Sequence, residues 1–267
     1  MASLFQTLER TAVRGAEGVT PEARGRLGVS LCALQQADGG FAGLDGRSDL
    51  YFSLFAWLSL RALAVPYDGA RLCAYAERRR PEAEGVDAHC AALLLAVERG
   101  RLRAPWTALA AALLRGDAYG AFLWLLSADE VPRVAARLAW QKTKRTLSDG
   151  AAQRLPTPRL AASLLLARVA GAPCSGLAEA LLARRCARGG FASAPGADAD
   201  LLATAVARFA LDEGPARRHD TAETRRCDLD FAEACWLEDG LFGASPAAAH
   251  GDAEHTFYGL LALGTCR

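Results

Sequence analysis

Three stretches of the chain repeat one order of apolar and polar positions. In the first, Gln36-Ala-Asp-Gly-Gly-Phe41 is followed by a short loop, Asp49 and the apolar run LYFSLFAWLSLRAL. In the second, Arg188-Gly-Gly-Phe191 leads through a loop to Asp200 and LLATAVARFAL. In the third, Asp239-Gly-Leu-Phe242 leads to Asp252 and AEHTFYGLLALG. Each closing run is apolar nearly all round, the pattern of a helix packed on every side. The stretch before each turn is amphipathic and arginine-rich, the pattern of a helix with one face in water. Each unit therefore predicts an outer helix, a glycine turn, a buried phenylalanine, a loop, a capping aspartate and an inner helix. Gly214 and Gly264 stand where a helix C-cap is expected.

Two weaker copies lie between. Gly85–Leu95, with Asp87 near its start, reads as a degenerate inner helix; Gly116–Leu126 reads as another, or as an outer helix. The stretch from Leu147 to Pro158, with Gly150 and Pro156, is the best linker. It is predicted to divide two lobes of one body, because single hairpins cannot bury their faces alone. The expectation is an all-α protein of five or six helical hairpins, one domain over residues 1–267.

Composition narrows the function classes. The chain has 267 residues, 52% of them hydrophobic, which suffices for a sizeable core. A net charge of +1 offers no basic field for nucleic acid. Glu9, Arg10 and Arg14 interrupt any apolar leader. The most apolar stretch, Leu50–Leu60, falls short of the roughly 20 residues that span a bilayer. Eight cysteines without a CxxC pair are expected to be reduced core thiols, and a cytoplasmic protein is expected.

The unit Q-x-x-D-G-G-F…D…apolar helix resembles the α/α toroids of the protein prenyltransferase and terpene-cyclase superfamily, and most closely the prenyltransferase β subunits. The likeness covers most of the chain and is sharpest over residues 35–63, 184–211 and 236–264. The last segment, Asp252-Ala-Glu-His-Thr-Phe-Tyr, is similar to the family's D-x-x-H-T-x-Y. The resemblance implies a ring of hairpins around a central apolar funnel that holds an isoprenoid. It also implies a rim zinc that binds a substrate thiolate, held by an Asp, a Cys two residues on and the His of D-x-x-H-T. Carried over, His255 is the zinc and catalytic histidine and Asp200 the aspartate. The cysteine position is Leu202, which cannot ligate, and catalytic zinc sites usually have three protein ligands. The family's enzymes also pair with a helical partner subunit, so such a partner or a homo-oligomer is an implied expectation.

Other readings stand beside these. Capping alone explains Asp49, Asp200 and Asp252 at one repeat position. A histidine near a helix start, such as His255, is often a hydrogen-bonded structural residue. Asp87, His89 and Cys90 form a possible substitute ligand set. Asp198-Ala-Asp200 and Asp228-Leu-Asp230 are partial matches to the D-x-D-D acid of the cyclases. Tyr51, Phe55 and Tyr258, with Phe52, Trp57, Phe122, Trp124 and Phe257, are candidates to line a funnel for an apolar chain, or are core. Arg78–Arg80, Arg184/Arg185 and Arg225/Arg226 are candidates to bind diphosphate, or are solvated faces. Three functions follow: prenyl transfer from a prenyl diphosphate, terpene-type cyclisation, or a toroid scaffold that has lost its metal.

Overall fold

The structure, a computed structural model, describes residues 4–100, 133–147, 151–212 and 220–267. The weak copy at 116–126, with Phe122 and Trp124, lies outside the described residues, as do Gly150 and Gly214. The fold is mostly helical, with four two-residue strands among the described residues. The inner helices are α3 (Leu50–Ala62), α5 (Gly85–Glu98), α7 (Thr157–Val169), α9 (Leu201–Asp212) and α11 (Ala253–Cys266). The outer ones are α2 (Pro21–Ala33), α4 (Gly69–Arg79), α6 (Arg133–Thr146), α8 (Ser175–Leu182) and α10 (Ala222–Ala234). Packing runs in the order α5, α3, α11, α9, α7, and the buried residues of these helices join one continuous core. The predicted linker holds a short 3-10 turn, Ala152–Arg154, and the helices on either side of it, α6 and α7, pack together.

The repeat is a hydrogen-bonded device. Strand β1 (Phe41–Ala42) pairs antiparallel with β2 (Ser48–Asp49), and β3 (Phe191–Ala192) with β4 (Ala199–Asp200). Phe41 thus faces Asp49 and Phe191 faces Asp200; a single bridge sets Phe242 against Asp252 in the same way. Each aspartate then caps its helix. Its Oδ1 accepts the N–H three residues on, from Phe52 at 2.9 Å, Ala203 at 2.8 Å and His255 at 2.8 Å. The hydroxyl four residues on, of Ser53, Thr204 or Thr256, accepts the phenylalanine N–H at 2.8, 2.9 and 3.1 Å. All three phenylalanines are buried, so these N–H groups have no access to water. The Phe–Ser/Thr link was not foreseen, although its signal, a hydroxyl four residues after each aspartate, is in the sequence.

The first glycine of the turn meets the following outer helix. At Gly189, φ is +93° and a Cβ would lie 2.1 Å from the Cys227 carbonyl oxygen on α10. Gly264 departs from its expected role: it lies inside α11, not beyond its end. A Cβ there would be 1.8 Å from the Thr11 carbonyl oxygen, so it lets two helices touch. The partner is α1 (Leu4–Glu17), where Gly15 meets the Leu260 carbonyl oxygen in the same way.

Helix α1 was not part of the predicted repeat. Its buried face is Phe5, Leu8, Thr11, Ala12, Gly15 and Ala16. Glu9 pairs with Arg61 at 2.6 Å near the end of α3, and Arg14 lies 4.0 Å from Asp212, the last residue of α9. It therefore crosses the C-terminal end of the inner helices.

A buried charge cluster braces α9 against α10. Arg208 pairs with Asp220 and lies 3.5 Å from Asp228, which is completely buried, while Arg185 reaches the same Asp228 at 3.2 Å. Asp228 also accepts the Gly190 N–H at 2.8 Å, and Arg208 donates to the Thr265 carbonyl at 3.1 Å. All eight cysteines are free, but only Cys90, Cys235 and Cys266 are buried and Cys32 is exposed; the core-thiol expectation holds for three. No described helix is long and apolar enough to cross a membrane.

Candidate metal and apolar-chain site

Helices α3, α5, α9 and α11 present their N-terminal ends to one region. The field of Asp49 reaches Asp87; those of Asp49, Asp87 and Glu254 reach Cys90; those of Asp252 and Asp200 reach Glu254 and His255. The repeat explains the convergence, since each unit starts its inner helix at an equivalent aspartate.

His255 is held twice by Asp252. Its backbone N–H goes to Oδ1 and its ring Nδ1 lies 2.7 Å from Oδ2. With Nδ1 protonated toward Asp252, Nε2 carries the lone pair available to a ligand. A carboxylate behind an imidazole in this way is the usual support of a metal-binding histidine. Burial disfavours the imidazolium. The Asp252 hydrogen bond and the charges of Asp252, Glu254 and Asp200 outweigh it, and the His255 pKa is raised. Glu254 has a raised pKa as well, first because of burial, against which the hydrogen bond donated by the Tyr51 hydroxyl works.

Ligand atoms of Asp252, Glu254 and His255 all lie within 4.8 Å of one another. Asp200 stands outside that group, near enough to act on His255 through its charge. Leu202 is half-buried and offers no donor. The set is oxygen and nitrogen only, which suits a borderline or hard divalent cation. With both Asp252 oxygens engaged by His255, the donors that would face a cation are His255 Nε2 and Glu254, with Asp252 behind the imidazole and no thiolate as in the resembled family.

Directly below lies an aromatic layer. Tyr51 meets Phe55 at 4.8 Å between ring centroids, and Phe55 meets Tyr258 at 5.2 Å and Phe257 at 5.6 Å. The three aromatics singled out from sequence are thus one cluster, tied to the acidic group by the Tyr51–Glu254 bond. Phe55, Phe257 and Tyr258 line a central cavity together with residues of α1, α5, α7 and α9. That cavity has a volume of only about 30 Å³, and Phe5 and Leu8 of α1 are among the side chains that close it.

The other candidates fall elsewhere. Cys90 shares the rim, but burial and the nearby Asp87, Asp49 and Glu254 carboxylates push its thiol pKa far up, so it stays protonated and a poor ligand. The His89 ring nitrogen Nδ1 lies 2.7 Å from the Gly85 carbonyl oxygen. Asp198 is exposed on a loop, and Asp228 is committed to the arginine cluster. Trp57 is completely buried and donates to the Tyr67 hydroxyl at 2.9 Å. Arg184 donates to the Gln153 and Leu155 carbonyls, Arg185 and Arg225 pair with Asp220, and Arg226 pairs with Asp230. Glu254 was missed from sequence; the signal was an acid directly before the histidine in the first turn of an inner helix.

Comparison of the sequence with known protein families finds no match, and comparison with curated proteins finds none either.

Proposed function

We propose that the chain is a prenyltransferase-like α/α toroid that carries a divalent-metal site at the N-terminal rim of its inner helices and takes an apolar isoprenoid-type chain in its centre. The reaction is transfer of a prenyl group from a prenyl diphosphate to a thiol or similar nucleophile. One observation carries this reading: His255, oriented by Asp252 and flanked by Glu254, sits over an aromatic layer that leads into the central cavity. Packing of successive inner helices around that shared cavity supports the ring.

A bound zinc or similar cation supplies a Lewis acid that lowers the pKa of the acceptor thiol. Asp252 fixes the imidazole tautomer and the ring orientation. Glu254 provides the donor that the leucine at 202 does not, and Tyr51 holds Glu254 in place. Phe55, Phe257 and Tyr258 offer π faces to an isoprenoid and to positive charge developing at its reacting carbon. The test is transfer of a labelled prenyl group to a thiol peptide in the presence of zinc. Wild-type protein is expected to turn over, and His255→Ala to lose activity by about two orders of magnitude or more, as loss of a metal ligand or of its support does. Wild-type protein that binds zinc yet transfers nothing would overturn the transferase reading.

A second reading, acid-initiated cyclisation, is favoured by Glu254 itself. It is a half-buried carboxyl with a raised pKa beside an aromatic cluster, a setting that suits a general acid. Activity independent of metal and abolished by Glu254→Gln would select it.

A further inference from the structure

A second space opens at the opposite end of the inner helices. It is a cleft of about 870 Å³ between α1 and the last turns of α7 and α9, well within the size of small-molecule sites. Leu4, Val13, Leu165, Val169 and Phe209 give it an apolar lining. Leu165 and Phe209 also line the central cavity, so the two spaces share these side chains as a wall. Arg10, Arg14 and Arg168 stand at the edge. Of the three carboxylates there, Glu9 is neutralised by Arg61 and Arg14 reaches Asp212 only at 4.0 Å, so Glu17 and Asp212 stand against three guanidinium groups, of which Arg10 and Arg168 also donate to the backbone carbonyls of Gln6 and Ala210.

We propose that this cleft is a binding site for a single-chain anionic amphiphile, whose tail passes between α1 and α7/α9 toward the centre, with Phe5 and Leu8 holding the inner end of its path until it arrives. The apolar wall takes the tail and the arginines take the head. The close approaches of α1 to α11, at Thr11 and Gly15, lie in its second half, while Phe5 and Leu8 sit in its first two turns, where the Glu9–Arg61 ion pair is the tie to α3. The inference rests on the proposed apolar centre and adds a route to it from the end away from His255.

Full-length protein is titrated with cis-parinaric acid, a fatty acid that fluoresces when its tail leaves water. Saturable binding is expected. Val13→Arg and Val169→Arg place charge on opposite walls of the cleft, at half-buried positions that do not line the central cavity. Each is expected to weaken binding about tenfold or more, with thermal stability followed in parallel. Phe5→Ala with Leu8→Ala vacates the inner end and is expected to tighten binding several-fold, or to admit longer chains. The methyl ester of the probe is expected to bind about tenfold more weakly; equal binding would remove the anionic head from the assignment. No saturable binding overturns the proposal. Binding that responds to the Phe5/Leu8 pair but not to the two arginine variants overturns the cleft and leaves the central site standing. Tail binding in the cleft without any prenyl transfer would sink the transferase reading alone.

Discussion

Asp252 accepts the His255 backbone N–H with one carboxylate oxygen and lies within hydrogen-bond reach of the imidazole with the other, so helix capping and site support share a side chain. Asp252→Asn separates the roles: asparagine caps nearly as well but carries no charge. The His255 pKa is therefore expected to fall in this variant, read by NMR titration of the ring; an unchanged value would contradict the assigned cause. The sign for stability follows. The folded-state pKa of His255 is raised, so its contribution is fully present below its unfolded value of about 6.5 and is lost as pH rises through the folded value. The raised carboxyl of Glu254 acts in the same sense: its contribution is present below about pH 4.3 and lost as pH rises through its own folded value. Metal binding runs the other way, weakening as His255 takes up its proton. Much of this site was legible in the sequence. His255, Tyr51, Phe55 and Tyr258 come to one region because repeat equivalence puts inner-helix starts together, while Asp200 stands outside the Asp252–Glu254–His255 group and reaches His255 only through its charge. Glu254 was not, because its role depends on a bond to Tyr51 in a helix some two hundred residues away.

The helical hairpins were readable because their signals are local. An aspartate cap, a glycine turn and an all-round apolar run each have a backbone cause within a dozen residues. The hydroxyl that joins the turn to its helix was overlooked because it reads as one more small residue in an apolar run. Thr256→Val tests it: a buried Phe242 N–H would lose its acceptor, and a destabilisation of about 1–3 kcal/mol is expected by denaturant unfolding. A change near zero would mean that the bond has no structural weight. Helix α1 escaped the repeat reading, since nothing in an amphipathic segment says which surface it will cover. Its dependence on glycine is testable. Gly15→Ala puts a Cβ against the Leu260 carbonyl oxygen, a clash with backbone that cannot move aside cheaply. A loss of about 1–3 kcal/mol is expected, and an unperturbed midpoint would contradict the close α1–α11 contact.

Across the whole molecule, one end gathers helix N-termini with carboxylates and a histidine, and the other is crossed by α1. An aromatic layer and a nearly filled cavity lie between. The buried pairs of Arg185 and Arg208 with Asp228 tie α9, α10 and the Gly190 turn together on the side of this axis. Asp228→Ala leaves two arginines without their shared partner, and a cost of about 3–5 kcal/mol is expected; a loss below 1 kcal/mol would show the cluster to be incidental. The sequence placed Asp228 in a partial acid motif because spacing cannot show which arginines a carboxylate will meet. The most direct test of the proposed metal site at the rim is elemental analysis of the untagged protein after zinc reconstitution, beside His255→Ala and Glu254→Gln. The account predicts about one zinc per wild-type chain and clear loss in both variants, as expected of ligands in a small donor set. No bound zinc in the wild type, or zinc retained in full by both variants, would contradict it.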